Sequence, residues 1–347
     1  MEIQNEAELC FPELLNSSCR RTTLHWSKAV LLYIVLFCIS LITAALNLLV
    51  IISVSHFRHE LTLHTPTNIL LLSLAVSDFL VGLLLMPLEI VRGMTCWVLG
   101  DLMCSVYIFL TGNVTCASIG NIVLISVDRY VAICYPLHYP TRITVARVKL
   151  SVCLCWFYAI FYISLYAKDS LIEPGRYSSC YGECVLVVSV VVGIVDLVLS
   201  YFVPVTVIIV LYMRVFVVAV SQARAMRSHV TTVALQRSLN QTNKSELKAA
   251  RTLGILVVVF LLCSCPYYCI SFARDNYSSV PSIVFGLFFL NSSLNPLIYA
   301  MFYPWFRKTV TLINRGVQLQ AFRASGKLCV DCVLTSTFMA VVPANVS

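Results

Sequence analysis

The segment from Asn291 to Lys308 reads NSSLNPLIYAMFYPWFRK. It closes an apolar stretch over residues 281–302 and continues into a run that mixes aromatic and basic side chains. A helix of about 20 apolar residues crosses the ~30 Å hydrocarbon core of a bilayer. A shorter run with separate apolar and basic sides lies in the membrane interface instead. The segment therefore predicts a membrane-spanning helix followed by a short amphipathic interfacial helix over residues 304–316, with Phe306 toward lipid.

Six more apolar stretches of similar length precede this one along the chain. Of the 347 residues, 59% are hydrophobic and only 12% are charged, so most of the folded surface must face lipid. No stretch shows the alternation of a membrane β-strand. We predict an all-α membrane protein whose seven-helix bundle forms a membrane domain over residues 29–303. The predicted spans cover residues 29–54, 67–91, 102–132, 150–167, 187–219, 250–272 and 281–302.

Basic residues set the orientation of the spans, because flanks rich in Lys and Arg stay in the cytoplasm. Placing the N-terminus outside leaves only seven of the 24 basic residues in outer segments. We therefore predict an extracellular tail over residues 1–28 and a cytoplasmic tail over residues 317–347. The first residues lack a basic region and a cleavage site, so the first span is expected to be its own insertion signal. The net charge of +8 suits anionic lipid and an acidic cytosolic partner, and we expect no nucleic-acid partner.

Sixteen cysteines are present, and those inside the spans are expected to behave as small apolar residues. Extracellular cysteines can form disulfides, but the sequence alone does not fix which of them pair. Asn16-Ser17-Ser18 is a glycosylation acceptor in the extracellular tail, which makes Asn16 a candidate modification site. The cysteines expected outside are Cys10, Cys19, Cys96, Cys104, Cys180 and Cys184.

Polar residues inside a membrane are costly and so favour a functional interpretation. Each of the seven spans carries a polar, aromatic or proline landmark. This pattern resembles the rhodopsin-like G-protein-coupled receptors over nearly the whole chain, up to about residue 316. More narrowly, the segment from Tyr303 to Lys308 resembles the trace amine-associated receptors. The landmarks are Asn47, Asp78, Asp128-Arg129-Tyr130, Trp156, Pro204, Pro266 and Asn295-Pro296 with Tyr299.

The resemblance implies roles for individual residues. It implies the disulfides Cys104–Cys184 and Cys19–Cys180, although Cys19 and Cys180 are alternatively free. It also implies that Arg129, flanked by Asp128 and Tyr130, forms with Glu246 a clasp that opens to admit a G protein. The other implied residues are the activation pair Tyr212 and Tyr299, the helix kinks at Pro266 and Pro296, and an allosteric Na⁺ site of Asp78, Ser118, Asn291 and Asn295.

The resemblance also implies a function. Trace amine-associated receptors detect amines in olfaction, so we expect a multi-pass receptor in the plasma membrane of olfactory sensory neurons. It would couple to a stimulatory G protein that raises cyclic AMP, with arrestin and a receptor kinase as further partners. Apart from Na⁺ no cofactor is expected. Other classes fit less well, because the chain shows no internal repeat of a transporter, no seventh-span lysine of an opsin and no catalytic set of an enzyme.

The counterion for an amine is expected on the fifth span. An ammonium in a low-dielectric pocket needs a carboxylate, yet the third-span position where most amine receptors carry Asp is Thr111. Asp196 is a lone charge in an apolar run, and Ser200 follows on the same helical face. This location resembles a fish-type branch of the family. The predicted aromatic wall around Asp196 consists of Tyr267, Tyr268, Phe285 and Phe289.

Three positions carry alternative interpretations. Asp196 is alternatively structural, bonded to a neighbouring helix or to Arg176, in a receptor for a non-amine ligand. Glu89 is a candidate for the second nitrogen of a diamine or, alternatively, pairs with Arg92 at i+3. Ser264 stands where the family usually has Trp, and Tyr267 or Tyr268 is a candidate to replace its packing.

Overall fold

Helices make up most of the described chain, which confirms the predicted all-α membrane bundle. The computed structural model describes residues 8–14, 17–21, 26–56, 65–94, 96–176, 178–186, 188–228, 254–255, 257–270 and 282–302, together with residues 306 and 311. Within these residues, five apolar helical segments are long enough to cross a membrane, and two shorter apolar helices accompany them. Each of the seven overlaps a different one of the seven predicted spans.

The first four spans occupy the N-terminal half. In the second span, a π-helical turn at Val81–Leu85 interrupts the α-helix just before Pro87. Its hydrogen-bonding pattern shifts there, which lets the helix continue past a residue that lacks a backbone donor. In chain order the helices are α1 (Trp26–His56), α2 (Pro66–Leu80), α3 (Met86–Met94), α4 (Gly100–Cys134), α5 (Tyr139–Arg142), α6 (Val145–Tyr166) and α7 (Lys168–Ile172).

One of the remaining spans also contains a π-helical turn that precedes a proline. A second π-helical turn, at Val198–Phe202, divides the fifth span just before Pro204. In the seventh span, Pro296 lies inside the helix. The helices are α8 (Val190–Leu197), α9 (Val203–Ser228), α10 (Val257–Ile270) and α11 (Ser282–Phe302).

Two boundaries of the described spans lie well outside the predicted ranges, each for a physical reason. The fourth span begins at Val145 rather than at residue 150, because the Thr144 side chain accepts a hydrogen bond from the Arg147 amide and caps the helix. The fifth span extends to Ser228, beyond its apolar part, because a helix can continue past the edge of the membrane. Hydropathy locates the apolar part of a helix, whereas caps locate its ends.

The N-terminal tail adds a small sheet that the sequence did not predict. Strands β1 (Glu8–Leu9) and β2 (Arg20–Arg21) pair antiparallel, with Glu8 opposite Arg21. Ser18 forms a further bridge with Tyr181 in the loop that precedes the fifth span. The tail is therefore attached to the end of the bundle that carries the disulfides, called the outer end below.

The hydrophobic core fills the opposite half of the bundle, around Arg129. Large side chains from several helices are fully buried there, including Leu71, Ile122 and Ile208. Phe306 packs into the same cluster and is only 3% exposed, so the prediction that it faces lipid is wrong. Apart from Phe306 and Thr311, the predicted interfacial helix and the tail after it lie outside the described residues.

Candidate functional site

A cavity of about 150 Å³ opens between the helices in the outer half of the bundle. Side chains of the second, third, fourth and fifth spans line it together with α10 and α11. Cys184, Val185 and Leu186 from the loop before α8 line it as well. An apolar cavity of roughly this volume holds a benzene-sized molecule, so the space suits a small organic ligand.

Asp196 lines this cavity, as does Thr111 on the third span. Its carboxylate oxygen Oδ1 accepts two hydrogen bonds of 2.8 Å, from the Tyr162 hydroxyl of α6 and from the Ser200 hydroxyl. No described residue donates a hydrogen bond to the other oxygen, Oδ2, and none forms a salt bridge with Asp196. Arg176, considered above as a structural partner, pairs instead with Glu173 at 3.0 Å. The acid is therefore held in place through one oxygen, while the other has no donor in the described part of the chain.

Ser200 reaches Asp196 from within the π-helical turn Val198–Phe202. One turn separates the two residues, so both side chains lie on the same face. Such a turn adds a residue to one helical turn and is often found at functional sites. The π-helical turn of the fifth span thus contains the residue that holds Asp196 in the cavity wall.

Four aromatic side chains line the cavity wall from α10 and α11: Tyr267, Tyr268, Phe285 and Phe288. The sequence prediction named Phe289 as the fourth, and this is wrong. Phe289 is 2% exposed and packs in a hydrophobic cluster with Val114, while its neighbour Phe288 lines the cavity.

Ser264, which was predicted to stand where the family usually has Trp, has no large side chain, and tyrosines pack nearby instead. Ser264 is buried, and its hydroxyl donates to the Phe260 carbonyl oxygen at 2.7 Å. The ring of Tyr268 stacks on Tyr201 of the fifth span with centroids 4.2 Å apart, and Tyr267 packs against Phe288 at 4.8 Å. Both tyrosines considered as replacements thus join one aromatic cluster.

Glu89, predicted as a second ligand acid, does not line the cavity. Its carboxylate accepts two hydrogen bonds from Arg92, at 2.8 Å from Nε and 2.7 Å from Nη2, and one of 2.6 Å from the Tyr107 hydroxyl. The pairing at i+3 is therefore the interpretation that the structure favours. Arg92 itself lines the cavity, and its guanidinium lies 5.1 Å from the centre of the Phe285 ring.

At the opposite end, Arg129 belongs to a closed polar network. It donates to the neighbouring Asp128 carboxylate at 2.7 Å and to the Thr67 hydroxyl of α2 at 2.5 Å. The Tyr139 hydroxyl of α5 donates to the other Asp128 oxygen at 2.9 Å. Burial and the Asp128 charge raise the pKa of the Tyr139 phenol, so it remains a donor at neutral pH.

The other predicted activation residues are placed as follows. Tyr130 packs edge-on against Tyr135, and Tyr212 borders the hydrophobic core. Pro266 lies within α10. Tyr299 lies on α11, but its side chain is outside the described residues, as are Glu246 and Asn16.

The predicted Na⁺ residues lie on the second, third and seventh spans, and two of them, Asp78 and Asn295, are in contact. Asp78 is fully buried, and its Oδ2 accepts a hydrogen bond of 2.7 Å from Asn295. Each of the four residues has a buried oxygen to which no described residue hydrogen-bonds: Asp78 Oδ1, Ser118 Oγ, Asn291 Oδ1 and Asn295 Oδ1. Buried oxygens are normally paired, and oxygen is the donor that a hard cation prefers. This donor set therefore fits Na⁺.

In the described part of the chain, three disulfides join segments at the outer end. Cys104–Cys184 and Cys19–Cys180, the pairings that the resemblance implies, are both present. A third, Cys10–Cys96, joins the tail to the segment before α4. Cys19–Cys180 and the bridge between Ser18 and Tyr181 attach the tail to the loop that lines the cavity, and Cys104–Cys184 attaches that loop to α4.

Tyr162 and Phe288 are site residues that sequence reasoning missed. Tyr162 belongs to a stripe, Tyr158-Tyr162-Tyr166, with four-residue spacing, and neighbouring rings in it stack. Such a stripe is a weak signal because aromatics at helical spacing are usually packing residues. Its polar hydroxyls inside a membrane were the feature that could have identified it.

Comparison of the sequence with known proteins identifies the family of the chain. Residues 46–299 match the family described as "7 transmembrane receptor (rhodopsin family)". The chain is 38% identical to trace amine-associated receptor 13c of Danio rerio, over 88% of this chain and 92% of that one. It is 37% identical to trace amine-associated receptor 1 of Mus musculus, over 87% and 95% of the two chains. It is 34% identical to trace amine-associated receptor 4 of Mus musculus, over 93% and 96%.

Proposed function

The chain belongs to the rhodopsin family of seven-transmembrane receptors, and within it to the trace amine-associated receptors, and on this premise we propose that it detects a small amine through Asp196. It is a multi-pass membrane receptor and not an enzyme. The proposal includes an extracellular N-terminus, a position in the plasma membrane of olfactory sensory neurons, and coupling to a stimulatory G protein.

One observation carries the ligand assignment. Asp196 is a carboxylate at the wall of an otherwise largely apolar cavity, held by Tyr162 and Ser200, and among the described residues none donates to its Oδ2. An ammonium group offers both the opposite charge and the missing hydrogen bond. Because the two hydrogen bonds fix the carboxylate before the ligand arrives, little ordering is required on binding.

The aromatic residues complete the site for a cation. Tyr267, Tyr268, Phe285 and Phe288 line the same cavity, and a ring face that lies near an ammonium adds ~0.5–2 kcal/mol. The same rings offer apolar contact to the carbon skeleton of an amine. A small monoamine with an alkyl or aryl group suits both the volume and the wall.

Transmission to the G protein would use the contact between the fifth and sixth spans. Tyr201 stacks on Tyr268 next to the amine site, so a ligand that shifts Tyr268 changes the packing of α10. At the other end, Arg129 is held by Asp128 and Thr67, an arrangement suited to an inactive state. A ligand that binds better when α10 has moved would favour the state in which Arg129 is released to the G protein.

Na⁺ would bind to oxygens of Asp78, Ser118, Asn291 and Asn295. Its charge would balance that of the buried Asp78 carboxylate. The four residues come from the second, third and seventh spans. A cation there stabilises the conformation that brings these helices together. Arrestin and a receptor kinase are the further cytoplasmic partners that we propose.

Cyclic AMP accumulation in transfected cells tests the ligand assignment. The parent chain and Asp196→Asn are compared at matched surface levels over a panel of small amines. Truncating one partner of a buried charged pair costs ~2–5 kcal/mol, so the variant should lose most or all of its response. Asp169→Asn is the matched control, because it makes the same change at an exposed acid. An unchanged response in Asp196→Asn, or no response of the parent to any amine, contradicts the proposal.

A further inference from the structure

Arg92 places a guanidinium in the wall of the cavity that also contains Asp196. It lies in the last turn of α3, on the second span, whereas Asp196 belongs to the fifth. The side chain is only 16% exposed, and its guanidinium packs over Phe285. A buried, permanently charged group in a ligand cavity must influence which ligands bind.

Arg92 is fixed in one orientation. Glu89 accepts hydrogen bonds from its Nε and Nη2 atoms, and the Tyr107 hydroxyl holds Glu89 in turn. The structure shows no hydrogen bond from the remaining nitrogen, Nη1, to any described residue. A guanidinium carries five donors in a rigid plane, so the Nη1 hydrogens remain for a ligand atom.

The charges around the cavity determine how many cationic groups a bound ligand can carry. Glu89 compensates the charge of Arg92, while no described basic residue pairs with Asp196. The cavity can therefore compensate a single ligand cation. A second ammonium placed beside Arg92 would meet a like charge and find no acceptor, whereas an oxygen acceptor would gain a hydrogen bond.

We propose that the ligand is an amine whose far end carries a hydrogen-bond acceptor, bound by Arg92, and that Arg92 discriminates against diamines. This inference rests on the proposed function, because it assumes that the ammonium lies at Asp196. It assigns specificity to Arg92 rather than to Glu89, whose carboxylate is already occupied.

A series of amines with one chain length tests the inference. The probes are pentylamine, 5-aminopentan-1-ol and 1,5-diaminopentane, applied to cells that express the parent chain, with cyclic AMP as the readout. A hydrogen bond to a charged group corresponds to about a tenfold change in potency or more. We expect the amino alcohol to exceed pentylamine by about that factor, and the diamine to be weaker than both.

The variant Glu89→Gln/Arg92→Gln removes the guanidinium without leaving a buried unpaired carboxylate. In this variant the potencies of the amino alcohol and pentylamine should converge to within about threefold, and the diamine should gain relative to both. The matched control is Glu173→Gln/Arg176→Gln, because this pair has the same i+3 spacing but lies exposed in an outer loop. The control should keep the order of potencies found for the parent.

A second variant covers the case in which the double change fails to reach the surface. Arg92→Lys keeps the positive charge near Glu89 but removes the planar Nη1 donor, so the preference for the amino alcohol should fall while the diamine stays weak. Equal potency of pentylamine and the amino alcohol in the parent, or an unchanged preference in the variants, overturns the inference. Failure of the proposed function looks different, because then no probe responds or Asp196→Asn keeps its response.

Discussion

Asp196 illustrates how a single residue can be both costly and useful in a membrane helix. A carboxylate in a low-dielectric environment needs hydrogen bonds, and Tyr162 and Ser200 supply two of them to one oxygen. The second oxygen has no described donor. The described residues thus satisfy only one oxygen of the carboxylate. The other oxygen is available to a ligand cation.

At the residue scale, the Tyr162 hydroxyl is expected to set the potency of amines. Tyr162→Phe removes one of the two hydrogen bonds that orient Asp196 and leaves the ring stack intact. A hydrogen bond to a charged group contributes ~1.5–3 kcal/mol, so amine potency should fall by roughly tenfold or more. Dose–response curves for cyclic AMP measure this fall in potency.

The control for this change is Tyr158→Phe, one turn earlier on α6, where the side chain is exposed and the described residues include no hydrogen bond to its hydroxyl. This control should respond like the parent. Equal potency in Tyr162→Phe and the parent would show that the phenol does not support the carboxylate.

Individual residues also show how far the sequence could predict the site. Asp196 was identified because it is a charged residue in an apolar run. Thr111 was identified because it is uncharged at a position where most amine receptors carry Asp. Phe289 was chosen over Phe288 because the sequence does not fix the rotation of a helix to within one residue. Tyr162 was missed because its role depends on the neighbouring fifth span.

At the scale of elements, the second span depends on a close approach between helices. Gly82, in the π-helical turn, accepts a hydrogen bond of 2.6 Å from Ser40 of α1. A Cβ atom at Gly82 would lie 2.6 Å from the Ala44 backbone nitrogen. Small residues permit such contacts between membrane helices, and α1 has no room to yield without moving its backbone.

Gly82→Ala is therefore expected to destabilise the bundle. Overpacking typically costs ~1–3 kcal/mol, which should lower the thermal midpoint of the detergent-solubilised receptor and reduce its surface level. Gly254→Ala is the control, because the one described neighbour that a Cβ there would meet is Tyr212 Cε1, at an ordinary 3.8 Å. A thermal midpoint for Gly82→Ala equal to that of Gly254→Ala would contradict this account of the interface.

At the scale of the whole molecule, the two halves of the bundle differ in their packing. The half around Arg129 is filled by large apolar side chains, whereas the outer half surrounds the cavity and is closed by disulfides. The sequence predicted the number of spans from the apolar runs. It could not predict the third disulfide, because pairing depends on distances between segments far apart in the chain.

The Cys10–Cys96 disulfide is expected to stabilise the outer end. It closes a segment of 86 residues, and such links commonly contribute ~2–4 kcal/mol. The double variant Cys10→Ser/Cys96→Ser should therefore unfold at a lower temperature than the parent in detergent. Cys153→Ser, at an exposed free cysteine, is the control and should match the parent. Equal thermal midpoints in all three chains would show that this disulfide contributes nothing to stability.

The central claim is that the cavity needs one carboxylate to bind an amine, and that Asp196 provides it. Thr111 lines the same cavity from the third span, so the acid can be moved while the cavity keeps one negative charge. The variant Thr111→Asp/Asp196→Asn does this, and Asp196→Asn alone removes the charge. A response regained in the double variant would separate loss of charge from loss of folding.

The most direct measurement is amine potency for cyclic AMP in the parent, Asp196→Asn and Thr111→Asp/Asp196→Asn at matched surface levels. Removing the carboxylate should lower potency by roughly 30-fold or more, and relocating it to the third span should restore part of that loss. Potency in Asp196→Asn within about threefold of the parent would be a difference of less than 1 kcal/mol and would contradict the claim.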